Sequence, residues 1–190
     1  MESGHNIALN NAIKTLKEGG IILYPTDTVW GIGCDATNYE AVNKIFKLKQ
    51  REDSKTMICL VHNFDMLHQH IEDVPELARD ILRYSEKPTT IIYDRPKRVA
   101  ENLIASDNTL AIRIVKHDFC ERLIKRLKKP IVSTSANLSG HPTPKTFHEI
   151  ETDILKGVDY VVNLEQNRSE DTPSSIIKLS HNGEVKIIRQ

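Results

Sequence analysis

The chain has 190 residues, 39% hydrophobic and 27% charged, and its 26 basic and 26 acidic side chains cancel to a formal net charge of +0. That balance excludes a disordered chain and a globally basic nucleic-acid binder, so any RNA contact would need a local basic patch. No apolar run approaches the roughly 20 residues of a membrane helix, which excludes that class of membrane protein.

The opening stretch MESGHNIALNNAIKTLKEGG lacks a basic region followed by an apolar one, so it does not read as a signal peptide. Leu9, Ile13 and Leu16 predict a helix over 6–18, with Gly19 and Gly20 as its stop. IILY reads as a strand. Thr37, with Glu40 three residues on, forms a capping-box pattern before a helix through AVNKIFKLK. MICLV at 57–61 is a continuous apolar run that suits a buried strand. PELARDILRYS predicts another helix, and TTIIYD and LAIRIV two strands. Asp118 is the expected cap of DFCERLIKRLKK, which Pro130 stops. IVSTSA is a strand that runs into ANLSGHPTPK, where Thr143 and Pro144 would open a helix as cap and first-turn proline. YVVNL, SSIIKLS and EVKIIRQ close the chain as strands, the last two joined at His181-Asn182-Gly183 as a hairpin. The alternation of strands and helices predicts one α/β domain over 1–190, built on a mixed sheet.

The cysteines Cys34, Cys59 and Cys120 are far apart and form no CxxC, which fits reduced thiols in the cytoplasm; Cys34 reads as a space-filler rather than a nucleophile. His62, His68 and His70 read as surface histidines, because positions two apart on a helix do not share a face. The sequence carries no GxxxxGK[ST], GxSxG or HExxH, and Gly31 with Gly33 makes only a lone GxG. Instead, polar residues collect beside strands: PTDT after IILY, Arg113 within LAIRIV, STSAN after IV, and PSS before II. One such loop is ordinary turn chemistry. Four in a short chain point to a common pocket beyond the strand ends. KLKQREDSK adds Lys47, Lys49, Arg51 and Lys55 at the end of a helix. Fixed cations at a pocket edge suit a polyphosphate.

PTDTVWGIGCDA, KLKQREDSK, TLAIRI and STSANLSGHPT, in this order and spacing, with a weaker PSSIIKL followed by IIR, make the chain resemble the YrdC-like threonylcarbamoyl-AMP synthases from Gly19 to Arg189. The resemblance implies a short, single-domain form whose twisted mixed sheet is flanked by helices and has a concave, locally basic face. It implies a nucleotidyltransferase that makes threonylcarbamoyl-adenylate and pyrophosphate from L-threonine, bicarbonate or CO2, and ATP. A partner transferase then modifies the adenosine beside the anticodon of tRNA. On matching positions, Thr28, Arg113 and Ser135 would bind threonine. Lys49, Arg51 and Lys55 would bind phosphates, the first two also neutralising charge during catalysis. Thr109, Ser133, Asn137, Thr143 and Arg189 would contact ATP, and Thr26, Ser174 and Ser175 would line the pocket. Mg²⁺ would arrive with the nucleotide, with no protein side chain as its ligand.

The chain departs from the family at Trp30, usually tyrosine, at Glu52 and Thr56, both usually proline, and at Lys178, usually aspartate. Leu60 stands where some relatives have a threonine-binding histidine, and His62 is given no role. Two other classes fit parts of the sequence. One is an RNA-binding module without catalysis, whose concave basic face, with the basic stretches at 124–129 and 44–55, contacts double-stranded RNA or tRNA directly; zero net charge and few aromatics disfavour it. The other is a carbamoyl-transfer domain of metal-enzyme maturation, which normally sits in a much longer chain.

Overall fold

The computed structural model describes residues 4–50, 57–169 and 172–190. Arg51 and Lys55 therefore lie outside the described residues, as do Glu52 and Thr56. The first helix, α1 (Gly4–Lys17), buries Leu9, Ile13 and Leu16 together with Ala8 and Ala12, the face that the spacing predicts. Gly19, at φ 75°, then reverses the chain in a conformation open chiefly to glycine. Strand β1 (Ile22–Tyr24) follows, then β2 (Gly31–Gly33), a strand with no signal of its own in the sequence. The next helix, α2 (Tyr39–Lys49), buries Val42, Ile45 and Phe46. Its cap is Asn38, whose side chain accepts from the Ala41 amide, not Thr37. The Thr37 hydroxyl instead donates to Asp35 Oδ1 at 2.7 Å, so the expected capping box does not form.

Strand β3 (Ile58–Val61) leads to the short helices α3 (Phe64–His70) and α4 (Leu77–Tyr84). His70 is 7% exposed, so it is a buried histidine and not the surface one expected. Strands β4 (Thr89–Asp94) and β5 (Thr109–Ile114) precede α5 (Asp118–Leu127). The cap position of α5 is His117 with no side-chain cap bond, and Asp118 is the first helical residue. Its carboxylate still favours the helix N-terminus through the dipole. Strand β6 (Ile131–Ser135) follows as expected. No helix opens at Thr143; that segment is irregular up to a single 3₁₀ turn at Phe147–Glu149, then α6 (Thr152–Gly157). Strands β7 (Tyr160–Val161), β8 (Ser175–Leu179) and β9 (Val185–Arg189) close the chain, the last two as the expected antiparallel hairpin with Gly183 at φ 85°.

The nine strands of the described residues form one sheet in the order β7-β1-β2-β6-β3-β5-β4-β8-β9. Its pairing is mixed: β1 with β7, β3 with β5 and β4 with β8 run parallel, and the remaining neighbours antiparallel. The register puts Ile32, Val132, Cys59, Ile112 and Ile91 on one side of the pleat, all of them buried. Helices α1 and α5 pack against each other, and α2 packs against α6 and the turn at 101–103. No described helix is long and apolar enough to cross a membrane.

Candidate active site

The other side of the pleat is built differently. Cross-strand partners share a face. The pairs Gly31–Ser135, Ser133–Ile58, Ile58–Ala111 and Ala111–Ile92 therefore run as a row across β2, β6, β3, β5 and β4. Ile176 and Arg189 of the hairpin continue the row. Glycine, serine and alanine at its middle leave space above the sheet that larger side chains would fill. The result is a cleft of about 290 Å³ whose lining includes every residue of that row. It lies across the face of the sheet rather than beyond the strand ends, where the polar loops had placed it. Gly31 is part of its floor: a Cβ there would come within 3.1 Å of Ser133 Oγ. Gly33 has a different reason, since a Cβ would meet the Val132 carbonyl at 2.3 Å where β2 and β6 pair.

Among the expected threonine-binding residues, Thr28, Arg113 and Ser135 all line this cleft, and Ser133, Thr143, Ser174 and Arg189 join them. Thr143 thus stands at the cleft and caps no helix. Thr26 organises the turn from behind: its hydroxyl donates to the Val29 carbonyl at 2.7 Å and accepts from the Thr28 amide at 3.1 Å. Thr28 Oγ1 lies 3.1 Å from Thr26 Oγ1 and accepts from Arg113 Nη2 at 3.3 Å. Arg113 is 3% exposed, and its Nη2 stands 3.0 Å from Asp27 Oδ1. That is a charge contact whose angle falls outside hydrogen-bond geometry, since Oδ1 has no hydrogen-bond partner among the described residues. Asp27 Oδ2 accepts from the Lys116 amide at 3.2 Å. Arg113 Nε is buried and likewise has no hydrogen-bond partner among the described residues. In the sequence Asp27 stands out only as part of the polar PTDT loop. The signal for its second role was available: an arginine inside an apolar strand needs a carboxylate nearby.

Arg189 is held by two bonds to the Ser174 carbonyl, from Nε at 3.0 Å and Nη2 at 2.7 Å. Burial pushes its pKa down, with the neighbouring Arg113 charge adding to the effect. Two guanidinium groups therefore face one cleft, and no carboxylate is among the described residues that line it. Ser174 Oγ is 2.8 Å from Thr90 Oγ1, while Ser175 faces a separate groove beside β9.

The remaining expected residues among those described do not line the cleft. Lys49 is 1% exposed, and its ammonium donates to the main-chain carbonyls of Ser135 and Asn137, the latter at 2.6 Å. Its carbonyl in turn accepts from the Ser139 amide at 2.9 Å. Lys49 thereby ties the end of α2 to the loop after β6. Asn137 folds that loop further, donating to the Leu138 and His141 carbonyls at 2.9 and 2.7 Å. The Thr109 hydroxyl donates to Asp107 Oδ1 at 2.6 Å, and Asp107 also holds Lys178 at 2.8 Å. Hydrogen bonds from Lys178 and Thr109 hold the Asp107 carboxyl below its ordinary pKa. Trp30, 4% exposed, packs its ring 5.0 Å from Phe147 and so braces the segment that carries Thr143. Leu60 is fully buried in β3. Burial pushes the Cys34, Cys59 and Cys120 thiols up, Cys59 to about 12, which makes none of them a nucleophile at neutral pH. Among the described residues, no three histidine, cysteine or acidic side chains gather as a metal site.

The family model described as Telomere recombination (Sua5/YciO/YrdC) matches residues 14–190. A curated protein of Pseudoalteromonas translucida, named threonylcarbamoyl-AMP synthase, is 34% identical over 178 residues, 92% of this chain and 94% of its own. One of the same name from Yersinia pestis is 36% identical over 150 residues, 77% of this chain and 78% of its own. The structure of P. abyssi Sua5 complexed with L-threonine superposes with a TM-score of 0.79 at 26% identity, over 90% of this chain and 50% of that one. This chain thus spans about half the length of that structure. E. coli YciO superposes with a TM-score of 0.82 over 98% of this chain and 89% of that one, and at 22% identity the likeness is one of fold. A match that runs from α1 to the last residue, with relatives of this identity along most of their own length, settles the kinship: the chain belongs to the Sua5/YciO/YrdC family.

Proposed function

We propose that this protein is a threonylcarbamoyl-AMP synthase, acting as a single domain in the cytoplasm on L-threonine, bicarbonate or CO2, and ATP. The observation that carries the reading is Arg113: a buried guanidinium at the cleft, with Thr28 beside it and one buried nitrogen without a partner among the described residues. That nitrogen suits a substrate carboxylate, which takes parallel bonds from the guanidinium edge. Ser135 on the same floor assists. Arg189, Ser133 and Thr143 take the nucleotide, with Arg51 and Lys55 serving the phosphates. Lys49 acts by holding the loop of Ser135 and Asn137 in place, and Asn137 and Thr109 act from just outside the lining. Support also comes from the names of the relatives and from the threonine complex of P. abyssi Sua5.

The chemistry needs no covalent intermediate on the protein. The threonine amine adds to CO2 and loses a proton, giving a carbamate. A carbamate oxygen then attacks the α-phosphorus of ATP and pyrophosphate leaves. The cleft contributes proximity and fixed positive charge. No carboxylate is among the described residues of the lining, so Mg²⁺ would be held by the oxygens of the triphosphate it accompanies. Handing the product to a tRNA-modifying transferase completes the reading.

The test is incubation with L-threonine, bicarbonate and ATP, scored for pyrophosphate and the adenylate. Pyrophosphate that forms equally well without threonine would remove the reading. No product at all, together with salt-sensitive RNA binding, would leave a binding module in its place.

A further inference from the structure

A second and larger cleft, of about 680 Å³, lies between α4 and the neighbouring ends of β4 and β5. Its volume is in the range of small-molecule sites. Five cations line it, Arg79, Arg83, Lys87, Lys116 and Arg168, against two carboxylates, Asp27 and Glu86. Asp27 already stands against Arg113, so it offsets little of that charge. Arg79 lies 4.8 Å over the Phe64 ring, and Arg168 holds Glu165 at 2.9 Å. The ammonium groups of Lys87 and Lys116 have no hydrogen bond or ion pair among the described residues. The same cleft has an apolar lining of Leu82, Pro88, Ile114 and Phe64. An inorganic anion would leave that lining bare, and an apolar ligand would strip water from the cations without replacing it. A ligand with both a flat apolar part and phosphates satisfies both sides. The α4 wall can adjust to it, since Ala78 is the one fully buried residue of that helix.

We propose that this second cleft binds a nucleoside polyphosphate, separately from the ATP of the first cleft. Its phosphates meet Lys87, Lys116 and Arg83, and its ring lies against Leu82 and Ile114. Asp27 connects the two clefts, because its carboxylate lines the second while its Oδ1 lies against the guanidinium that lines the first. A polyphosphate beside Asp27 repels that carboxylate towards Arg113. Occupancy therefore weakens the hold of Arg113 on a threonine carboxylate, a consequence that rests on the proposed function; the binding itself does not.

Equilibrium dialysis of the full chain with labelled ADP tests the site. The expected result is two ADP per chain. Combined Arg83→Glu and Lys87→Glu should abolish one class, and Lys116→Ala on the opposite wall should weaken the same class by about tenfold or more. Arg189→Ala, in the first cleft, should remove the other class. A single ADP per chain, lost with Arg189→Ala alone, overturns the proposal. So does pyrophosphate that binds the second class as tightly as ADP, because the apolar lining would then contribute nothing. At saturating ATP, which also fills the second cleft, the charge-reversed variant should show a lower KM for threonine than the unaltered chain, with kcat unchanged. A chain with no synthase activity but two bound ADP would sink the functional reading and leave the second site standing.

Discussion

A guanidinium buried as deeply as that of Arg113 must meet a counter-charge, and here Asp27 supplies it from the turn after β1. The pair is 3% and 7% exposed, so water does little to screen it. Asp27→Asn keeps the shape and removes the charge. It should destabilise the fold by about 3–5 kcal/mol, read as a lower urea midpoint. Under the proposed function, Arg113→Ala should raise the KM for threonine far more than that for ATP. Equal effects on the two substrates would show that the guanidinium serves no carboxylate. Trp30, which departs from the family, is explained at this scale too. Its ring packs on Phe147 and braces the Thr143 segment, so the larger aromatic serves packing rather than chemistry.

Single elements decide how the floor is shaped. Strand β6 places Ser133 and Ser135 on one face and Val132 on the other, so one strand builds the cleft and the core at once. Helix α3 carries a second element-scale consequence through His70, at its C-terminal end. Burial pushes the His70 pKa down, and the carbonyls of Lys97 and Arg98 only partly oppose that. In the folded state the ring therefore resists protonation, whereas the unfolded chain takes a proton near its ordinary pKa of about 6.5. Stability should be full above that pH and fall as pH drops towards the folded value. Urea midpoints measured from about pH 7.5 to about pH 5.5 should decline, and His70→Gln should flatten the slope. His62, also pushed down by burial, leaves a residual slope of the same sign. An unchanged slope in the variant would mean that the decline comes from other groups.

Across the whole molecule, burial is uneven in a way that bears on the cleft. Strands β3, β5 and β6 lie in the middle of the sheet, whereas β9 is at its edge with all five residues exposed, Val185 at 45% and Ile187 at 59%. Yet β9 carries Arg189 to the cleft. Local opening costs least where few contacts hold an element. Hydrogen exchange should therefore show the β9 amides less protected than those of 58–61 by at least about 2 kcal/mol. Saturating ATP should slow exchange at 185–189 if Arg189 grips the nucleotide. Equal protection in β3 and β9 would contradict the first statement, and no change with ATP the second.

Much of this was legible in the sequence because it is local. The 3.6 period of Leu9, Ile13 and Leu16, the apolar run MICLV and the Asn-Gly turn each state their own backbone, and all three formed. The motif order carried the family, and with it Thr28, Arg113 and Ser135 as neighbours. What failed were assignments at helix starts: Asn38 over Thr37 as cap, His117 at the cap position ahead of Asp118, and Thr143 at the cleft instead of a helix start. Such choices differ by about 1 kcal/mol, and tertiary contacts overrule them. The sequence by itself determined the elements and the chemistry available. Only the tertiary structure decided that Gly31, Ser133, Ser135 and Ala111 fall in one row, because cross-strand register joins residues far apart in the chain, and that row is what opens the cleft.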